Sequence, residues 1–295
     1  MGRSRGQIVL VAAFALAITF VTLSLILNTA IFTENLATRQ TAETQDAADF
    51  QDAVVETGSV LLWETNRNES NYADLRQTYR KWIENYSDAE NHHALREGTL
   101  RSVTLYETKN GSRIYQETTT SLTDENGTTT WLVAKDVGDV RAFTLNVSAA
   151  DQNSPLVVNA TNGSATWELE ITNNGTAFDA TVTNVSGETT TRSTTESTLE
   201  LSPTNGSFED AAWTKLTFQE QFSGSYDLYI RNGSNASGTY NMVVDKKTTA
   251  ISWDNSSAPA LDPAIYNASV GIDLNREDLS YRANFTIEPQ RRFPQ

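Results

Sequence analysis

The chain has 295 residues, a net charge of −15 from 37 acidic and 22 basic residues, and no cysteine. This composition excludes thiol catalysis, disulfides and cysteine metal sites, and acidity without a basic stripe argues against nucleic-acid binding. Only six of the basic residues are Lys, which favours a surface adapted to high salt and a halophilic source. An ordinary acidic exported protein is the alternative interpretation.

The first predicted element is an apolar segment, residues 8–27, interrupted only by three hydroxyl residues. A helix of that length would be about 30 Å long, which matches the hydrocarbon core of a bilayer. Positive residues precede the segment, and the first charge after it is Glu34. The positive-inside rule therefore predicts a cytoplasmic basic leader over residues 1–7, a transmembrane helix over residues 8–27 and an extracellular remainder. The run is too long for a cleaved secretory signal.

Arg5, Gly6 and Gln7 stand immediately before the apolar segment. With the helical pattern that follows, residues 6–62 resemble the N-terminus of type IV pilins and pilin-like proteins, particularly those of haloarchaea. The resemblance implies that a prepilin peptidase cuts after Gly6 and leaves Gln7 as the mature N-terminus. Many bacterial pilins have Glu at the fifth mature position, where this chain has Val11. An uncleaved signal anchor is the alternative to this interpretation.

Residues 28–98 are predicted to form an extracellular helical region. Neither Gly nor Pro occurs between residues 7 and 57, so the first helix is expected to continue beyond the membrane as an amphipathic rod. A second helix is predicted over residues 72–97, with Gly98 as its C-terminal cap. Its apolar stripe recurs at helical spacing: Leu75, Tyr79, Trp82, Ile83 and Tyr86.

Residues 99–295 are predicted to form a β-rich ectodomain, because the apolar period changes from 3.6 to 2 after Gly98, with a break expected near residues 153–155. A hairpin is expected around a turn at residues 109–112, and a further strand at residues 215–222. Short strands at this spacing indicate an antiparallel β-sandwich or a related fold. The predicted fold class is therefore α+β: a long N-terminal transmembrane helix, a second helix, and an antiparallel β-sandwich-like ectodomain.

Fifteen Asn-x-Ser/Thr acceptor sequences occur, against about five expected by chance on this composition, and none precedes residue 68. They predict a glycosylated, outward-facing ectodomain. Six of them are followed by Gly, so turn chemistry is an alternative explanation for those six. The candidate glycosylation sites are Asn68, Asn85, Asn110, Asn126, Asn146, Asn159, Asn162, Asn174, Asn184, Asn205, Asn232, Asn235, Asn255, Asn267 and Asn284.

Motifs that carry chemistry are scarce. The two His residues, His92 and His93, are adjacent, so they point about 100° apart on a helix and are poorly placed to grip one metal ion. No phosphate loop, nucleophile elbow or zinc-protease motif occurs. We therefore expect no enzyme activity, no cofactor and no metal. A secreted carbohydrate-active enzyme remains a lesser hypothesis, which would need a convergent pair of carboxylates.

Two functional hypotheses follow. The first is a membrane-anchored, pilin-like archaeal surface glycoprotein, a minor or accessory subunit of a type IV pilus-like filament, that acts in adhesion or assembly. Its partners would be the membrane, other pilin subunits and the prepilin peptidase, and not nucleic acid. The alternative is a monomeric single-pass surface protein that binds an extracellular ligand or partner without polymerising. Both place the N-terminus in the cytoplasm and the ectodomain outside the cell membrane.

Overall fold

The computed structural model describes residues 45–251, 259–277 and 279–290, together with Phe20, Leu23 and Ser24. The chain forms two compact units, residues 1–53 and residues 54–295. The leader junction Arg5–Gly6–Gln7, most of the predicted apolar segment and the candidate Asn255 lie outside the described residues.

Two α-helices are described. Helix α1 covers residues 45–68, and α2 covers Tyr72–Ala94, followed by a 3₁₀ turn over Leu95–Glu97. Asn71 begins α2 because its side-chain oxygen accepts hydrogen bonds from the first free N–H groups of the helix, those of Ala73 and Asp74. The prediction of a second helix that ends at Gly98 is confirmed, and Gly98 has a φ of 71°.

Fourteen strands follow the helices, and every neighbouring pair of described strands is antiparallel. In chain order they are β1 Leu100–Ser121, β2 Trp131–Val137, β3 Val140–Ala150, β4 Leu156–Thr161, β5 Thr166–Asn173, β6 Phe178–Thr183, β7 Thr189–Thr194, β8 Leu199–Ser202, β9 Ser207–Phe208, β10 Ala211–Ala212, β11 Tyr226–Arg231, β12 Ala236–Val244, β13 Ala260–Asn275 and β14 Ser280–Ile287.

The strands form two sheets with one shared core. The order of the eight-stranded sheet is β10-β9-β8-β3-β12-β1-β13-β14, and that of the six-stranded sheet is β2-β11-β4-β5-β6-β7. Alternate residues of both sheets face each other and form one buried apolar cluster. Its largest members include Trp167 and Phe178 of the six-stranded sheet and Phe143 of the eight-stranded sheet. The sandwich-like part of the prediction therefore agrees with the structure.

The helices lie against the eight-stranded sheet. Asn66 of α1 exchanges two hydrogen bonds with the backbone of Ile265 in β13, of 2.9 and 2.7 Å. The Tyr79 hydroxyl of α2 donates to the carbonyl of Gly58 in α1 at 3.2 Å, and burial raises the Tyr79 pKa. Residues 54–68 of α1, together with α2, thus form a third layer on the β-sandwich.

The predicted fold class is wrong in its helical part. In the described parts of the chain neither helix has the length and apolar character needed to cross a membrane. Both described helices carry too many charges for a bilayer core, since α1 contains Asp46, Asp49, Asp52 and Glu56, and α2 is likewise rich in ionised side chains. Antiparallel strand is the most abundant secondary structure of the described residues, and the two helices are a smaller part.

Two local predictions are also wrong. The expected hairpin at residues 109–112 is the middle of one continuous strand, β1, with a register shift between Lys109 and Asn110. Gly111 is required there because a Cβ would overlap the Val244 carbonyl of the neighbouring strand. The strand expected at residues 215–222 is instead two 3₁₀ turns, Thr214–Leu216 and Gln219–Gln221, which bury Leu216 and Phe218 in the core.

Candidate functional site

The candidate glycosylation sites are mostly on the surface. Eight are exposed: Asn68, Asn85, Asn126, Asn162, Asn174, Asn205, Asn235 and Asn284. Five are half-buried: Asn110, Asn146, Asn184, Asn232 and Asn267. The exposed positions include α2 and β14 as well as loops, so turn chemistry does not account for all of them.

Several acceptor residues also shape the turns that hold them. The side-chain oxygens of Asn162, Asn174 and Asn184 each accept hydrogen bonds from backbone N–H groups two to four residues later. In all three cases the oxygen makes these bonds, and at Asn162 and Asn174 this leaves the amide nitrogen, the atom that carries a glycan, outside the turn contact, whereas the Asn184 amide also donates to Glu188. Turn formation and glycosylation are therefore compatible at Asn162 and Asn174.

Asn159 is the exception, and it provides a test. Its side chain is 6% exposed and its oxygen accepts a 3.1 Å hydrogen bond from Arg231 Nε. We expect peptide mapping by mass spectrometry to find Asn159 unmodified and exposed sites such as Asn85 and Asn284 occupied, because a folded β4 leaves no space for a glycan. A glycan on Asn159 with Asn85 and Asn284 bare would contradict this assignment.

Two cavities lie together near the two 3₁₀ turns of residues 214–221. One has a volume of about 640 Å³ and the other of about 440 Å³. Thr217 and Glu220 line both of them, so we treat the two as one feature, the end cleft. Concave surface of this size is where small ligands normally bind.

The wall of the end cleft is mainly polar and close to neutral in charge. Val182 and Val185 supply apolar surface, Glu188 and Glu220 supply two negative charges and Lys215 one positive charge, alongside several Thr hydroxyls. The candidate glycosylation site Asn184 also lines the cleft, where its amide donates to Glu188 at 2.9 Å. Such a lining fits a neutral ligand that forms hydrogen bonds, such as a sugar or a peptide backbone, better than a charged one.

Arg141 forms the ionic part of the end cleft. Its Nη2 lies 2.7 Å from Asp139 and 2.7 Å from Glu288. Burial raises the pKa of the Glu288 carboxyl, although Arg141 acts in the opposite direction. Burial also raises the pKa of Tyr266, whose ring centroid is 5.4 Å from the guanidinium. The Arg141 Nε is buried and has no hydrogen-bond partner among the described residues.

Backbone strain flanks this ionic cluster. Asp136 has a φ of 49° and Ala142 a φ of 50°, which are uncommon values for residues with side chains. Asp136 accepts from Ser225 and pairs with Lys246 at 3.2 Å, and these contacts lower its pKa. Strained residues persist only where their surroundings fix them, and such positions are concentrated at functional sites.

The ionic cluster has the composition but not the arrangement of a glycosidase site. Asp139 and Glu288 contact the same nitrogen, so the two carboxylates are close neighbours, as the paired carboxylates of a retaining glycosidase are. However, Arg141 stands between them and neutralises both, in the space that a sugar would need. The geometry therefore favours an ion-pair network that fixes the β2–β3 connection to the C-terminal segment.

Other predicted features take surface positions. His92 and His93 are exposed near the end of α2, and in the described ranges no three His, Asp or Glu side chains converge as metal ligands. Sequence reasoning missed Asp139, Arg141 and Glu288 because 147 positions in the numbering separate Arg141 from Glu288. The local signal in the sequence is the Gly138–Asp139 pair, which lies between two strand-like runs and is typical of a turn.

Residues 2–130 match the model of a family of unknown function, DUF7261. The matched region includes both described helices and β1, and it ends immediately before β2. No curated protein matches the chain.

Proposed function

We propose that the chain is a non-catalytic, pilin-like surface glycoprotein whose β-sandwich is displayed outside the cell and acts in adhesion or filament assembly. Membrane attachment would depend on the apolar N-terminal segment, with the leader in the cytoplasm. The partners would be the membrane, other pilin subunits and the prepilin peptidase. An acidic, lysine-poor composition supports an archaeal, halophilic setting.

One observation supports this proposal most strongly: the C-terminal part of a long helix is covered by the chain's own globular domain. Residues 54–68 of α1 pack on the eight-stranded sheet, and Gly58 allows Ile287 of β14 to approach the helix closely. The pilin-like arrangement implied by the N-terminal resemblance has this division, with the later part of the helix packed on a β-rich domain. The surface positions of the candidate glycosylation sites agree with an extracellular sandwich.

The leader junction tests the proposal. A Gly6→Leu substitution is expected to block removal of the leader, because the peptidase needs a small residue before the cut. Gly2→Leu, the matched change at the other glycine of the leader, is expected to leave maturation intact. Immunoblots of membrane fractions would separate the longer precursor from the mature chain. Equal mobility of the wild-type chain and both variants would contradict prepilin processing.

A monomeric surface binding protein is the second candidate. The observation that favours it is the distribution of exposed acceptor residues: Asn68 ends α1, Asn85 lies on α2 and Asn284 lies on β14. Glycans at all three would occupy the helical side and one sheet edge, and would leave less protein surface for contacts between subunits. Under this alternative the protein stays in the membrane fraction and is missing from purified filaments, whether or not Gly6 is changed.

A further inference from the structure

The N-terminal half of β1 has an unusual neighbour. Strand β12 pairs with β1 only from Ser112 onward, whereas β13 pairs with it from Leu100. In the described structure α2 packs along this half of β1 in place of a strand, and the Val103 N–H donates to the Ser87 hydroxyl at 2.8 Å. A helix in that place covers the open edge of the strand, but it cannot form hydrogen bonds to every backbone N–H and C=O group along that edge.

A groove of about 220 Å³ remains between α2 and β1. It is lined by Arg76 and Arg80 of α2 and by Leu105, Tyr106, Glu107 and Thr108 of β1. The lining thus combines two cations, one aromatic ring, one carboxylate and one hydroxyl. Neither the pilin-like proposal nor the end cleft assigns this groove any role.

Arg76 and Arg80 are exposed and lie one helical turn apart. Their side chains form no ion pair or hydrogen bond with any residue that the structure describes. Two like charges at this spacing destabilise a helix slightly. The chain has a net charge of −15, so carboxylates that could pair with them are plentiful. Two unpaired guanidinium groups side by side are suited to an oxyanion from outside the chain, because each can donate two parallel hydrogen bonds.

Tyr106 lines the same groove as these cations. It lies at a β-bulge, between the register positions Leu105 and Glu107, and is 54% exposed. Gly271 lies beneath the ring, and a Cβ there would come within 2.5 Å of the ring edge. Bulges re-aim side chains, and a flat, accessible ring is a surface on which a sugar can stack.

The other polar groups that line the groove, Thr108 and Glu107, restrict the chemical class of ligand that it can bind. The hydroxyl of Thr108 is buried and has no hydrogen-bond partner within the described ranges, so a ligand hydroxyl or oxyanion would become its partner once the atoms that cover it move aside. Glu107 is exposed and makes no ion pair with either Arg. Its carboxylate opposes an anionic ligand, although it can accept hydrogen bonds from neutral sugar hydroxyls.

We propose that the groove lined by Arg76, Arg80 and Tyr106 binds a sugar that carries an oxyanion, either a carboxylate or a sulfate. The guanidinium groups bind the oxyanion, the Tyr106 ring packs against the sugar face, and Thr108 binds a hydroxyl. High salt screens charges beyond about 3 Å at 1 M, so affinity depends on these direct contacts and not on long-range attraction. The volume admits one sugar ring at a time.

The test measures binding of defined oligosaccharides to the purified full-length chain by calorimetry, in the salt that keeps the chain folded. The ligands are oligogalacturonate, a sulfated oligosaccharide and a neutral oligosaccharide of equal length. We expect the wild-type chain to bind at least one acidic ligand and to bind the neutral one at least tenfold more weakly. The comparison of the two acidic ligands identifies which oxyanion the groove prefers.

Variants then locate the site. Arg76→Gln/Arg80→Gln is expected to weaken acidic-sugar binding at least about tenfold. Tyr106→Ala is expected to weaken it as well, and Glu107→Gln to strengthen it. The matched control is Lys81→Gln/Arg96→Gln, which removes the same two charges from exposed positions of the same helical segment outside the groove. All these positions are exposed, so circular dichroism spectra should be unchanged.

Three results would overturn the assignment. The first is a wild-type chain that binds neither acidic ligand, and the second is an equal loss in the Lys81/Arg96 control. The third is an acidic peptide that binds as tightly as the acidic sugar, because that would show recognition of carboxylates without any contribution from the ring. None of these readouts depends on leader cleavage, so this site and the pilin-like proposal can fail separately.

Discussion

Replacing Gly238 by Ala is expected to lower the free energy of unfolding by about 3 kcal/mol or more. Gly238 lies in β12, and a Cβ at that position would overlap the carbonyl oxygen of Asn146 in β3. The pairing of β12 with β3 shifts register between Ser237 and Gly238, so the two backbones approach closely there. A backbone carbonyl cannot rotate away as a flexible side chain can, so the sheet itself must move.

The matched control is Gly163→Ala. Gly163 has a φ of 84° with nothing near its missing Cβ, so Ala there meets only backbone strain of about 1 to 2 kcal/mol. Guanidinium unfolding of both variants at one fixed salt concentration would measure the difference through the transition midpoints. Equal midpoints for the two variants would show that β3 and β12 are not in the close register described above.

Trp167→Ala is expected to destabilise the domain by about 3 to 5 kcal/mol. Trp167 is fully buried in β5, and its ring centroid lies 4.8 Å from that of Phe218 in the segment that bounds the end cleft. Removing the indole would leave a cavity between the two sheets and would also remove the support of residues 214–221. The loss should be visible as a lower midpoint in chemical unfolding.

The control for this prediction keeps a ring in place. The indole N–H of Trp167 is buried without a hydrogen-bond partner among the described residues, so Trp167→Phe removes an unsatisfied donor along with some packing. We expect Trp167→Phe to cost less than half as much as Trp167→Ala. If Phe is as damaging as Ala, the indole nitrogen makes an essential bond and the packing explanation is wrong.

Elements with a regular apolar period were predictable from the sequence. The stripe that includes Leu75, Tyr79 and Ile83 predicted α2, and those three side chains are buried. The change of apolar period after Gly98 predicted extended structure there, and β1 begins at Leu100. In these segments local periodicity and tertiary burial agree, so the pattern alone was sufficient.

The failures came where tertiary packing overrides a local signal. Asn110-Gly111 has the composition of a turn, but Gly111 is needed for close approach to β12 in an extended strand. Residues 215–222 alternate like a strand, yet Leu216 and Phe218 reach the core from 3₁₀ turns. The predicted transmembrane helix rested on residues 8–27, most of which lie outside the described residues, and neither described helix has the length and apolar character to cross a membrane.

The candidate binding surfaces could not be predicted because each joins distant parts of the chain. The end cleft brings Arg141 to Glu288, and the groove brings Arg76 of α2 to Tyr106 of β1. Only the antiparallel strand order and the placement of α2 create those neighbours. By contrast, the candidate glycosylation sites can be read directly from the sequence. The structure adds that Asn159 is buried, whereas the other described sites are exposed or half-buried.

The mature N-terminal residue tests the central proposal most directly. It would be determined by mass spectrometry of the protein from membrane fractions and from purified filaments. The pilin-like account predicts a chain that starts at Gln7, in both fractions. A chain that retains Arg5 and Gly6, found only in the membrane fraction, would contradict that account and favour a monomeric surface binding protein.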